Sequence, residues 1–160
     1  LSDTGEDVLI NSSFHRKITD IIFNDPEISP FGKVDYIKAE KRYGDSRLDY
    51  YIEKGSEKIW IETKGVSLSI DNCAYFPDAP SIRAVKHLNE LIKIKKSGGR
   101  AAVILIIMRD SNEFKPKADT DQLFSKTFYD AVKEGVEIYP IQLSFRNGTI
   151  YWSNKQIVIS

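Results

Sequence analysis

The sequence predicts an α/β fold: a mixed β-sheet flanked by helices. Three observations lead there. Three strand-like runs follow one another, joined by two Gly-first pairs that suit tight hairpin turns. Two amphipathic helical stretches then alternate with further strands. One of those strands, Ala101 to Met108, is apolar throughout, as a strand covered on both faces reads.

The elements follow in order. Ser12-Ser13 are suited to cap a helix running to about Phe23, with Phe14, Ile18, Ile21 and Ile22 at helical spacing. Asn24-Asp25-Pro26 stops it, and Ser29 to Gly32 is a loop. The three runs are Val34 to Lys41, Arg47 to Lys54 and Lys58 to Val66, turning at Gly44-Asp45 and Gly55-Ser56. Ser67 to Ala79 reads as a polar loop. Pro80-Ser81 opens a helix to about Lys96, striped by Ile82, Val85, Leu88, Leu91, Ile92 and Ile94 and ended by Gly98-Gly99. After Ala101 to Met108 come a helix over Asp119 to Glu134, stopped by Gly135, and a strand over Val136 to Leu143. Ile150 to Trp152 and Gln156 to Ile159 suit short edge strands.

Composition narrows the function. The chain has 160 residues, 41% of them hydrophobic, which is one domain's worth with a proper core. Residues 1–160 therefore read as one domain, with 1–10 a linker or loose terminus. The chain starts at Leu1 rather than Met, which leaves open a piece of a longer protein. No apolar run is long enough to span a bilayer, so no membrane partner is expected. The single cysteine, Cys73, excludes a disulfide framework and a cysteine-rich zinc site, and fits a cytoplasmic setting. Cys73 reads as a loop residue without a base beside it. Lys+Arg and Asp+Glu are equal at 23 each, so any nucleic-acid case must rest on local patches.

The hairpins supply one. With two-residue turns, Asp49 falls opposite Glu62 and Glu40 opposite Asp49. Tyr50 then meets Ile61 and Ala39, and Ile52 meets Ile59 and Ile37, so the apolar face comes out clean. Strict alternation puts Glu40, Asp49 and Glu62 in a row on one face, with Lys64 beside Glu62. Two readings fit such a row. One is a solvated face whose lysines dilute the repulsion. The other is a site for a hard divalent cation, which wants oxygen ligands.

A second patch lies over 81–100, where Arg83, Lys86, Lys93, Lys95, Lys96 and Arg100 face one acid, Glu90. That suits either a phosphate-gripping surface or a plain solvated helix face. His15 carries no assigned role, and His87 suits a phosphate contact or a structural place equally. Asp78, in the Phe76-Pro77-Asp78 run, suits site support or a turn.

Asp49 followed by Glu62-Thr63-Lys64 is the pattern of PD-(D/E)XK nucleases. More specific words surround it: Ser46 to Tyr50, Ile61 to Leu68, Phe76 to Ala79, Arg83, Lys86 to Leu88, Gly99 to Ala101, Phe114-x-Pro116 and Gly135 to Glu137. Over roughly Asn11 to Glu137 the chain resembles the sugar fermentation stimulation protein A family. Thr63 and Gly65 stand where that family favours Val and Asn, and Ala84 where it favours Gly. That family usually carries an N-terminal OB-like module ahead of this stretch, and the chain is expected to lack it, as a trimmed piece or a short variant. The resemblance implies a restriction-endonuclease-like architecture and a DNA-binding protein with a Mg²⁺- or Mn²⁺-dependent phosphodiesterase site. A non-catalytic DNA-binding regulator of sugar metabolism genes is the alternative. In the first reading Asp49, Glu62 and Lys64 are catalytic. Asp49, Glu62, the Thr63 carbonyl and Glu40 hold the ion, and Arg47, Arg83, Lys86 and His87 meet DNA. The expected partner is DNA, and a homodimer is left open.

Overall fold

The structure, a computed structural model, describes residues 12–160. The expected linker or loose terminus lies outside those residues. Helix α1 (Ser12–Asn24) is followed by strands β1 (Tyr36–Tyr43), β2 (Ser46–Lys54) and β3 (Glu57–Val66). Short strands β4 (Leu68–Ile70) and β5 (Cys73–Phe76) lead to α2 (Ile82–Lys96) and β6 (Arg100–Ile107). Then come β7 (Glu113–Pro116), α3 (Gln122–Glu134), β8 (Glu137–Arg146), β9 (Thr149–Trp152) and β10 (Val158–Ile159).

The main sheet is mixed, in the order β1-β2-β3-β6-β8-β9. The hairpins pair antiparallel, while β3-β6 and β6-β8 pair parallel across α2 and α3. Central β6 is the apolar run, and Ala101 to Ile107 are all 2% exposed or less. One face of the sheet packs on α2 and α3 through Leu48, Val66, Val103, Leu105, Leu88, Leu91 and Phe128. The other packs on α1 through Ile18, Ile22, Tyr50, Ile52, Ile61 and Ile104.

Local chemistry sets the boundaries. Gly44 and Gly55 take φ of +59° and +60°, the first turn position of the expected hairpins. The Ser81 hydroxyl accepts from the Ala84 N–H and caps α2. Asp121 caps α3 through the Phe124 N–H and also accepts from the Ser81 N–H, tying the starts of both helices together. Gly135 closes α3 at φ +97°.

Several expectations change. Ser12 and Ser13, expected to cap α1, lie within it. Ile21 and Ile82, assigned to apolar stripes, are 48% and 87% exposed. The stretch expected as a polar loop contains β4 and β5, which join β7 and β10 in a second sheet, β10-β7-β5-β4. Asp71 and Asn72, both at positive φ, make its hairpin turn. Cys73 is therefore a buried strand residue. Phe76 and Phe114 of this sheet pack against Phe124 and Phe128 of α3. No helix among the described residues is long and apolar enough to cross a membrane.

Candidate active site at the break in the first hairpin

The expected register holds, yet the expected row of carboxylates does not form. Ala39 pairs with Tyr50 and Lys41 with Leu48, but the ladder skips Glu40 and Asp49 between them. Glu40 takes φ +53°, a left-handed conformation that costs a non-glycine residue. Both strands change face there. Ala39 and Tyr50 pack on the α1 side, whereas Leu48 belongs to the α2 side. The Lys41 ammonium sits 3.9 Å from the centre of the Tyr51 ring and 5.7 Å from that of Trp60, also on the α2 side. A regular strand keeps residues two apart on one face. The strict alternation assumed from sequence fails at this one step.

The β2–β3 ladder also ends there, at Tyr50 and Ile61. Two side chains take over the backbone donors beyond it. Glu62 Oε1 accepts from the Asp49 N–H at 3.1 Å. Asp49 Oδ2 accepts from the Thr63 N–H at 2.9 Å and from the Thr63 hydroxyl at 2.8 Å. The two carboxylates are thereby fixed by the strands that carry them.

The charges around them are uneven. Lys64 Nζ donates to Glu62 Oε2 at 3.1 Å. His87 Nδ1 of α2 approaches the same oxygen at 2.7 Å, off the axis of an aligned hydrogen bond. Burial alone would raise the Glu62 carboxyl, but His87 and Lys64 outweigh it and hold the group below its usual range. Asp49 has no such help. Burial and then the Glu62 charge push its carboxyl up, against the Thr63 bonds and the more distant Lys64.

These groups line an open cleft of about 500 Å³, with His15, Arg16 and Thr19 from α1, Glu40, Tyr50, Gly65, and Arg83 from α2. Glu40 reaches the cleft, 60% exposed, and pairs with Arg16 at 3.7 Å. Arg83 lines it as an exposed cation. Arg47 and Lys86 are exposed outside it. His87, expected against phosphate, is instead 6% exposed and turned to Glu62. Asp78 is exposed outside the cleft.

Sequence reasoning missed the contribution of α1. Thr19, 1% exposed, hydrogen-bonds the Tyr50 hydroxyl, which donates to Asp20 at 2.8 Å and so moors α1 over the break. His15 Nε2 is buried without a hydrogen-bond partner among the described residues. Burial holds that imidazole below its ordinary pKa, the nearby Asp49 notwithstanding. The signal was the spacing of His15, Arg16 and Thr19 along one edge of the apolar stripe.

The donor set fits a hard divalent cation. Asp49 is a half-buried carboxylate beside the buried Glu62, and Lys64 and His87 are both spent on Glu62. Among the described residues no three His, Cys, Asp or Glu side chains gather closely enough to cage a metal. An ion here would complete its shell with backbone carbonyl and water, as small hard cations do.

Residues 13–149 match the family model described as the sugar fermentation stimulation protein RE domain. A sugar fermentation stimulation protein homolog of Methanococcoides burtonii is 38% identical over 146 residues, covering 91% of this chain and 59% of its own. One of Thermosipho melanesiensis is 38% identical over 150 residues, covering 94% and 63%. The chain thus spans about three-fifths of the length of these relatives. The structure of Pyrococcus furiosus SfsA in complex with Ca²⁺ is similar with a TM-score of 0.87 and 31% identity, over 99% of this chain and 69% of that one. The residue words around Asp49 and Glu62-Thr63-Lys64, the mixed α/β fold and these matches agree: the chain belongs to the sugar fermentation stimulation protein family.

Proposed function

We propose that the cleft is a divalent-cation-assisted phosphodiester site acting on DNA. The observation that carries this reading is the unequal pair of carboxylates, Glu62 contacted by Lys64 and His87, and half-buried Asp49 beside it held by Thr63 without a cation of its own. The complex of Pyrococcus furiosus SfsA with Ca²⁺ supports a cation preference of the same kind. Asp49 and Glu62, with the Thr63 carbonyl and water, would hold Mg²⁺ or Mn²⁺. When bound, such an ion polarises a phosphate and lowers the pKa of a bound water.

The chain's own groups do the rest. Thr63 fixes the Asp49 carboxylate with two donors, so its free oxygen keeps one direction. Lys64, 15% exposed, sits where negative charge would build on an attacked phosphate. Arg83, on the cleft wall, grips a backbone phosphate without reading bases. Exposed Lys86 adds charge one turn along α2. Glu40, held by Arg16, borders the site on its solvent side. The reading keeps the cytoplasmic setting suggested by the lone cysteine.

A second reading, a DNA-binding regulator without turnover, draws on the Lys64–Glu62 contact, since a lysine paired this closely is partly spent. Plasmid cleavage with Mn²⁺ separates the two. Wild type should nick DNA, chelator should stop it, and Lys64→Ala should lose about 10²-fold in turnover with little change in DNA affinity. Equal cleavage by wild type and an identically prepared Glu62→Ala protein would remove the enzyme reading.

A further inference from the structure

The β1–β2 hairpin carries a feature that its own stability does not explain. Arg42 and Arg47 are paired directly across the two strands, one step from the Gly44-Asp45 turn. Both are exposed, and neither has an acidic partner among the described residues. Like charges in direct cross-strand pairs destabilise a sheet. Their neighbours are otherwise engaged: Lys41 lies over Tyr51, and Tyr43 packs edge-on against Trp60 at 5.1 Å. Asp45 is the one acid between Lys41 and Leu48.

The break at Glu40 and Asp49 decides where this pair points. Past it, Lys41, Tyr43 and Leu48 turn to the α2 side, so Arg42 and Arg47 turn to the α1 side. Each arginine lies two residues from a cleft carboxylate, Arg42 from Glu40 and Arg47 from Asp49. Two residues of strand are about 7 Å, roughly two base steps along a duplex axis. Arg83 lines the cleft from α2. A nucleic-acid strand crossing the carboxylates therefore meets cations on both flanks.

We propose that the tip of this hairpin is a second DNA contact, in which Arg42 and Arg47 together clamp a backbone phosphate flanking the cleft. This rests on the DNA reading above and adds Arg42 and the hairpin to it. Two guanidinium planes facing one phosphate turn mutual repulsion into paired charge-assisted hydrogen bonds. The contact is electrostatic and carries no base readout.

The test is the double variant Arg42→Ala/Arg47→Ala in the full chain. Binding to a short labelled duplex is followed by fluorescence anisotropy across a salt series with chelator present, beside thermal melts. The variant should bind about tenfold more weakly at low salt. Its plot of log affinity against log salt should be shallower by roughly one unit, about 0.9 for the one phosphate released. Its melting temperature should be unchanged or higher, because the like-charge pair is gone. Binding and salt slope equal to wild type would overturn the hairpin contact and leave the DNA reading standing. A lowered melting temperature alongside weaker binding would overturn it too, by making the pair structural. Wild type that binds no duplex at low salt would overturn both.

Discussion

Replacing His87 by Ala removes one of the two side chains that hold Glu62. The pair is almost wholly buried, with side chains 7% and 2% exposed. Removing one partner of a buried pair costs roughly 3–5 kcal/mol, because a charge is left without compensation. Lys64 stays 3.1 Å away, so the lower end applies, about 3 kcal/mol. For a domain of this size that is a drop of roughly 6–12 °C in melting temperature. The pH dependence follows from sign. In wild type the Glu62 carboxyl is depressed from its ordinary 4.5, so its stabilisation is present above that value and lost as pH falls through the folded value. In the variant, burial outweighs Lys64 alone and the carboxyl rises. The deficit is then greatest at pH 7 and shrinks toward pH 4.5. Urea unfolding of both proteins at the two pH values measures it. A deficit under about 1 kcal/mol at pH 7, or one no smaller at pH 4.5, would refute the reasoning.

Two further outcomes concern the scaffold of the site. Thr63→Val keeps the β-branched shape but removes the hydroxyl that donates to Asp49, so it should cost about 1–2 kcal/mol in urea unfolding and weaken any cation response. A change below about 0.5 kcal/mol would mean the hydroxyl does not hold Asp49. Asp121→Ala removes the α3 cap and the bond to Ser81 together, and should cost about 2 kcal/mol by the same measurement. A cost confined to a few tenths would deny the coupling of the two helix starts.

The hairpin register, the two capped helices and the buried central strand were legible because each rests on local chemistry: positive-φ glycines, Ser81 and Gly135, and an unbroken apolar run. Asp49, Glu62 and Lys64 could be placed together because pairing arithmetic survives over short turns. The face switch at Glu40 was not legible. It arises when the Asp49 and Glu62 side chains displace ladder bonds, a competition between side chain and backbone that alternation rules do not contain. Neither was the buried place of His87, since α2 has to be docked on the sheet before Glu62 can claim that ring. The second sheet escaped because its strands are two to four residues long, with a stabilising partner of β5, β7, some forty residues away. Helix α1 showed its apolar stripe plainly, but nothing local tells which end of the sheet a helix will cover.

The central claim is that Asp49 and Glu62 together hold a divalent cation. Crystals soaked in Mn²⁺ and measured for anomalous scattering test it directly. A peak at Asp49 and Glu62, absent from Asp49→Asn crystals soaked in the same way, is the expected result. Mn²⁺ bound elsewhere, or a peak that survives in Asp49→Asn, would contradict it.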